Sequence, residues 1–188
     1  MNIDVKSLDG ALQTLGQLLA DRGLHYEIAA IGGGSLLLLG LIDRTTKDLD
    51  LIALVKGREL FSAEPLPPPL IQAAEEVAEA LELGKDWLNI GPASLLEMGL
   101  PPGFVERLHI RKYKALTLYL ADRFDQICFK LYASVDQGPY SKHFADLRTL
   151  VPTIEELQQA KRWCLTQDIS THFEKDLNEV IKSIYATK

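Results

Sequence analysis

One stretch of the sequence concentrates residue types that could do chemistry. Ile31-Gly32-Gly33-Gly34-Ser35 is followed, a dozen residues later, by Asp48-Leu49-Asp50-Leu51. Side chains alternate along a strand, so Asp48 and Asp50 are expected to leave one face with their carboxylates close together. Like charges so placed repel unless a cation lies between them, and hard carboxylate oxygens suit Mg²⁺ bridging to substrate phosphates. Gly32, Gly33 and Gly34 let the backbone approach a phosphate, and Ser35 adds N–H and hydroxyl donors at the N-terminus of the helix expected there. A glycine run alone is usually only a turn, and a lone Asp-x-Asp is often a solvated pair. In this order, on adjacent elements, the two favour a site for phosphate and metal.

The elements that must position these residues follow from periodicity. Leu8, Leu12, Leu15, Leu18 and Leu19 recur at helical spacing, which predicts a helix over 5–22 stopped by Gly23. Residues 26–31 read as a strand, 36–39 as a short buried helical stretch, and 48–55 as a second strand. The proline-rich segment 62–69 is expected to be a loop, because successive prolines remove backbone donors. A helix over 70–83, strands over 107–113 and 116–121, and about four helices after Asp122 complete the order. The predicted fold is therefore α+β: a small mixed β-sheet flanked by helices over 1–121, with a C-terminal helical extension over 122–188 packed on it as one compact unit.

The chain has 188 residues, 47% of them hydrophobic, enough to bury a core. A net charge of −6 argues against a chain-wide basic footprint for nucleic acid. Arg107, His109, Arg111, Lys112 and Lys114 nevertheless form a local cationic run. It suits either a nucleic-acid backbone or an exposed strand edge protected by charge. Cys128 and Cys164 lack a CxxC partner, and His25, His109, His143 and His172 lack metal-ligand spacing, so neither a disulfide framework nor a zinc site is signalled. The N-terminus does not read as a signal peptide, and the apolar stretch 28–42 is too short to span a bilayer. A cytoplasmic protein without membrane contact is the expectation.

The glycine turn and the Asp48-Leu49-Asp50-Leu51 strand resemble the signature of the DNA polymerase beta-like nucleotidyltransferase superfamily. The spacer is 12 residues counted from Gly34-Ser35 and 14 from Gly32-Gly33. The wording from Arg44 to Leu51 is most similar to the AbiEii-type branch, the toxins of type IV toxin–antitoxin systems and their uncharacterised relatives. A second patch, Phe129-Lys130-Leu131-Tyr132-Ala133 and then Lys142 to Leu150, resembles the same branch, so the likeness covers roughly 26–55 and 105–150.

The resemblance implies Mg²⁺-dependent transfer of a nucleoside monophosphate from an NTP to an acceptor hydroxyl, with tRNA or another RNA end favoured and a cognate antitoxin as partner. Asp48 and Asp50 would hold the metal and act catalytically. Gly32, Gly33, Gly34 and Ser35, with Arg44 and Lys47, would bind the nucleotide. Lys130 would hold its phosphates, and Asp146 would orient Lys130 or assist the attacking hydroxyl. Without the resemblance, Lys130 reads equally as a lysine snorkelling at the edge of the stripe Phe124, Cys128, Leu131 and Val135, and Asp146 as a solvated residue or partner of Arg148. One departure stands out: no strand offers a third metal-binding carboxylate, and Asp122, at a strand end, is the nearest. The alternative is therefore a nucleotidyltransferase-fold binding or interaction module without catalysis.

Overall fold

The computed structural model describes residues 2–185. The chain divides into two compact units, residues 1–100 with 105–121 and residues 101–104 with 122–188. Among the described residues there are nine helices and six strands, and the α+β class expected from the sequence is the class observed. No helix among them is long and apolar enough to cross a membrane.

The first unit opens with α1 (Val5–Asp21), whose N-cap Asp4 accepts the Ser7 N–H at 2.8 Å. Leu8, Leu12, Leu15 and Leu19 form its buried face. β1 (Tyr26–Ile31) runs directly into α2 (Gly32–Leu38), so the glycines form the first turn of a helix where a separate break was expected. β2 spans Leu49–Lys56 and leaves Asp48 just before its first residue. β3 (Glu59–Phe61), α3 (Pro68–Ala80), β4 (Leu88–Asn89), α4 (Ser94–Met98), α5 (Phe104–Arg107, whose first residue is assigned to the second unit), β5 (His109–Tyr113) and β6 (Leu116–Leu120) follow.

α3 begins inside the proline run that was expected to be loop. Pro68 and Pro69 occupy its first positions, where no N–H is required and the fixed φ already suits a helix. β3, β4, α4 and α5 were not anticipated, because elements of two to five residues are too short to show a period.

The sheet runs β3-β2-β1-β6-β5, with β4 also paired to β2. β1 is antiparallel to β2 and parallel to β6. β3 pairs with the end of β2 at Leu54–Lys56, whereas β4 pairs in parallel with its start, setting Leu49 against Leu88 and Asp50 against Asn89. Residues opposite one another in register share a face. Ile31, Asp50 and Asn89 therefore line one face at the end of the sheet where β1 enters α2. α1 packs against α2, α3, β5 and β6. Trp87, fully buried, donates its indole N–H to the Ala74 carbonyl of α3 at 2.9 Å and fixes the approach to β4.

β5 is the sheet's terminal strand, and its exposed His109, Ile110 and Lys112 place the cationic run on an edge. Arg111 is committed there: it pairs with Asp9 and donates to the Leu38 carbonyl. Tyr113 donates its hydroxyl to the same carboxylate at 2.8 Å. Burial and that carboxylate push the Tyr113 hydroxyl up to about 12.

In the second unit, α6 (Arg123–Gln137) packs against α7 (Lys142–Thr149), α8 (Ile154–Gln167) and α9 (Thr171–Tyr185). Every residue from Asp125 to Leu131 is buried, so the expected one-sided apolar stripe is replaced by a helix enclosed all round. A Thr153–Glu156 capping box starts α8. Arg123 ties α6 to that point. It donates to the Leu150 and Val151 carbonyls at the end of α7 and pairs with Glu156. Phe129, Trp163, Tyr132 and Phe173 stack edge-on or tilted at centroid distances of 5.4 to 6.0 Å. Cys128 and Cys164 are buried and share no disulfide, and burial pushes the Cys164 thiol up, away from reactivity.

Candidate active site

The glycine turn and the aspartate pair meet. Gly32 has φ +78°, a conformation that glycine takes without strain, and a Cβ at this position would overlap the Asp50 carboxylate. A Cβ at Gly34 would lie 2.8 Å from the Asp48 carbonyl oxygen and 3.2 Å from the Leu49 Cα. Both contacts are backbone and cannot give way cheaply. The chain thus requires glycine at these positions because the start of β2 lies directly on the start of α2.

Burial alternates along this strand start. Leu49 and Leu51 are fully buried, while Asp48 and Asp50 are half-buried, so the two aspartates share the more open face. Asp50 has a fixed neighbour on β4: Asn89 donates its amide N–H to Oδ1 of Asp50 at 3.1 Å. The Asn89 carbonyl oxygen in turn accepts the Gly91 backbone N–H at 2.8 Å. The segment before Asp48 is pinned as well. Thr46 exchanges backbone hydrogen bonds with Ile3 at 2.6 and 2.9 Å, and its hydroxyl donates to the Asp48 carbonyl at 3.1 Å.

Other residues singled out from the sequence separate into those brought to this point and those not. Arg44 is brought there: its guanidinium lies 3.2 Å from where Gly33 would carry a Cβ, and it also donates to the Thr45 carbonyl. Lys47 is exposed. Ser35 is the fourth residue of α2 and fully buried, and its hydroxyl has no hydrogen-bond partner. The expected hydroxyl donor to a phosphate is therefore enclosed, because α2 packs on all sides through Gly33 to Leu38. Gly32 is the member of the turn that keeps some exposure.

In the helical unit, Lys130 of α6 and Asp146 of α7 form an ion pair at 2.7 Å with side chains 4% and 2% exposed. Neither snorkelling nor a solvated aspartate describes them. Two charges this deep are held only if each satisfies the other. Lys130 also sits in a hydrogen-bonded helix turn, its carbonyl accepting the Ser134 hydroxyl at 2.6 Å.

Asn89 escaped the sequence reading, because a two-residue strand gives no alternation and an asparagine beside Gly91 reads as a turn. Among the described residues no three His, Cys, Asp or Glu side chains converge as a metal cluster. What the sheet end offers a cation is two carboxylates, the Asn89 amide being turned to Asp50 and Gly91. That donor set fits Mg²⁺ of the kind completed by waters and substrate phosphates, which needs only one or two protein carboxylates. No protein-family model, curated protein or solved structure matches this chain.

Proposed function

We propose that this protein is an Mg²⁺-dependent nucleotidyltransferase of the DNA polymerase beta-like type, moving a nucleoside monophosphate from an NTP to the hydroxyl of an RNA end, with the α–β phosphate bond broken and pyrophosphate released. The reading rests on one observation, the seating of the Asp50 carboxylate against the bare Cα of Gly32. Carboxylates for a cation and a glycine turn for a phosphate are useful to a triphosphate only when adjacent, and here the Asp50 carboxylate lies directly on the turn. Mg²⁺, when bound, supplies charge neutralisation on the triphosphate. Asp48 and Asp50 would hold it, Gly32 lets the Asp50 carboxylate close on the turn that would take the phosphate, and Arg44 adds a cation beside that turn. Lys130 and Asp146 keep the parts that the resemblance gives them, charge neutralisation by the lysine and its orientation by the aspartate; their 2.7 Å ion pair within the helical unit supports the second part. In this reading the protein is a toxin with a cognate antitoxin.

The test incubates the purified protein with each α-labelled NTP, Mg²⁺ and total RNA and asks which RNA gains label. Label from one NTP, lost in the Asp48→Asn/Asp50→Asn double variant, supports the proposal. No transfer with any NTP, or transfer undiminished in the double variant, overturns it.

A second reading is a nucleotide-binding module that does not transfer. It is favoured by the neighbour of Asp50 on β4 being the neutral amide of Asn89. Saturable binding of NTP with Mg²⁺ and no label in any RNA or protein is the outcome that selects it.

A further inference from the structure

Asn89, 39 residues along the chain, donates to Asp50, and its geometry is over-determined. A backbone N–H can only donate, so the Asn89 atom facing Gly91 is its carbonyl oxygen. A carboxylate can only accept, so the atom facing Asp50 is the NH₂. The amide therefore has one productive orientation. β4 holds it in register opposite Asp50, and β4 is itself anchored by the Leu49 N–H to the Trp87 carbonyl at 2.6 Å and by the buried Trp87 indole. Oδ1 of Asp50 is engaged by Asn89, while Oδ2 is the oxygen nearest the place where Gly32 would carry a Cβ.

We infer that Asn89 is a positioning residue for a divalent-cation ligand: by holding Oδ1 of Asp50 it presents Oδ2 to the cation beside Gly32. The inference rests on the cation site proposed above and goes beyond it, since neither the motif nor its spacing points to residue 89. An unheld carboxylate must surrender its torsional freedom on binding a cation, whereas one already fixed by a neighbour does not. Outer partners of this kind typically contribute ten- to a hundredfold to metal affinity.

The test is Mn²⁺ binding to the full chain, read as loss of the free-Mn²⁺ signal in electron paramagnetic resonance, without nucleotide. Asn89→Ala removes the donor. Asn89→Leu removes it while keeping the side-chain volume, so that one variant remains informative if the other folds poorly. Melting temperatures of the cation-free proteins confirm that equal folded fractions are compared. The expected result is Mn²⁺ affinity about ten- to a hundredfold weaker in both, with the melting temperature little changed, and binding abolished in Asp50→Asn. If Asp50→Asn abolishes binding but the Asn89 variants bind within a few-fold of wild type, the role of Asn89 is overturned and the site stands. If wild type and Asp50→Asn bind Mn²⁺ alike, or neither binds it, the cation site itself is overturned.

Discussion

The Asp50 carboxylate occupies the space in which residue 32 would carry a side chain. Gly32 and Asp50 are 18 positions apart, yet the register that sets Ile31 of β1 against Asp50 of β2 makes the identity of one a condition on the other. The same strand start presses the Asp48 carbonyl onto Gly34.

Alanine at residue 32 should therefore do more harm than its backbone alone explains. The left-handed conformation costs an alanine about 1–2 kcal/mol. Gly40, at φ +70° with nothing within 4 Å of a Cβ, carries that cost without a clash. Urea denaturation should show Gly32→Ala losing about 1–3 kcal/mol more than Gly40→Ala, the range expected for overpacking. Gly10→Ala, in open space inside α1, should instead gain about 0.5–1 kcal/mol. Equal losses at 32 and 40 would mean that Asp50 swings aside freely.

The Lys130–Asp146 pair should behave as a unit. Removing one partner leaves a buried, uncompensated charge, so Lys130→Met or Asp146→Leu alone should cost about 3–5 kcal/mol, and the double variant markedly less than their sum. A double-mutant cycle by chemical denaturation measures this, and additive losses would contradict the pairing. The double variant, if it folds, is the protein in which loss of label transfer can be separated from loss of structure.

Acid should weaken the helical unit through Glu156. Burial would raise its carboxyl, but the Arg123 guanidinium and the Thr153 cap outweigh it and hold it below its ordinary value of 4.5. A depressed carboxylate stabilises the fold above its unfolded value, and that contribution disappears as pH falls through the folded one. Wild type should melt above Glu156→Gln at neutral pH, and the gap should close on acidification below 4.5. A gap independent of pH would assign the difference to packing.

At the alkaline end, four of the six tyrosines should ionise late, Tyr113 and Tyr119 most of all, and Tyr132 and Tyr185 through burial. Tyr113 is pushed up to about 12 by burial and its bond to Asp9, and Tyr119 to about 12 by its bond to Glu27 and by burial. A raised tyrosine stabilises the fold fully below the ordinary value of 10, and that contribution is lost as pH rises through about 12. Phenolate absorbance should show a late-titrating fraction reduced in Tyr113→Phe and in Tyr119→Phe. Normal titration of all six would rule out both hydrogen bonds in solution.

Much of the sheet end was legible in the sequence, for local reasons. Glycine in place of any other residue between a strand and an apolar run signals a backbone that something approaches, and Asp-Leu-Asp-Leu fixes a shared face by alternation alone. β1 was read to its last residue, and β2 to within one at each end. Alternation can say that Asp48 and Asp50 share a face. It cannot say what faces them.

That was decided by tertiary structure. Asn89 reaches Asp50 across 39 residues through a strand two residues long, and Lys130 reaches Asp146 because α7 folds back on α6. The enclosure of α6 has the same origin: three helices cover it, so its period no longer marks an inside and an outside. Ser35 looks in sequence like a donor at a helix start, and only the packing around α2 closes off its hydroxyl. Steric and alternation rules act between near neighbours in the chain and are written in residue order. Burial, ion pairing and the partner of a carboxylate are set by what the folded chain brings alongside, which no local pattern encodes.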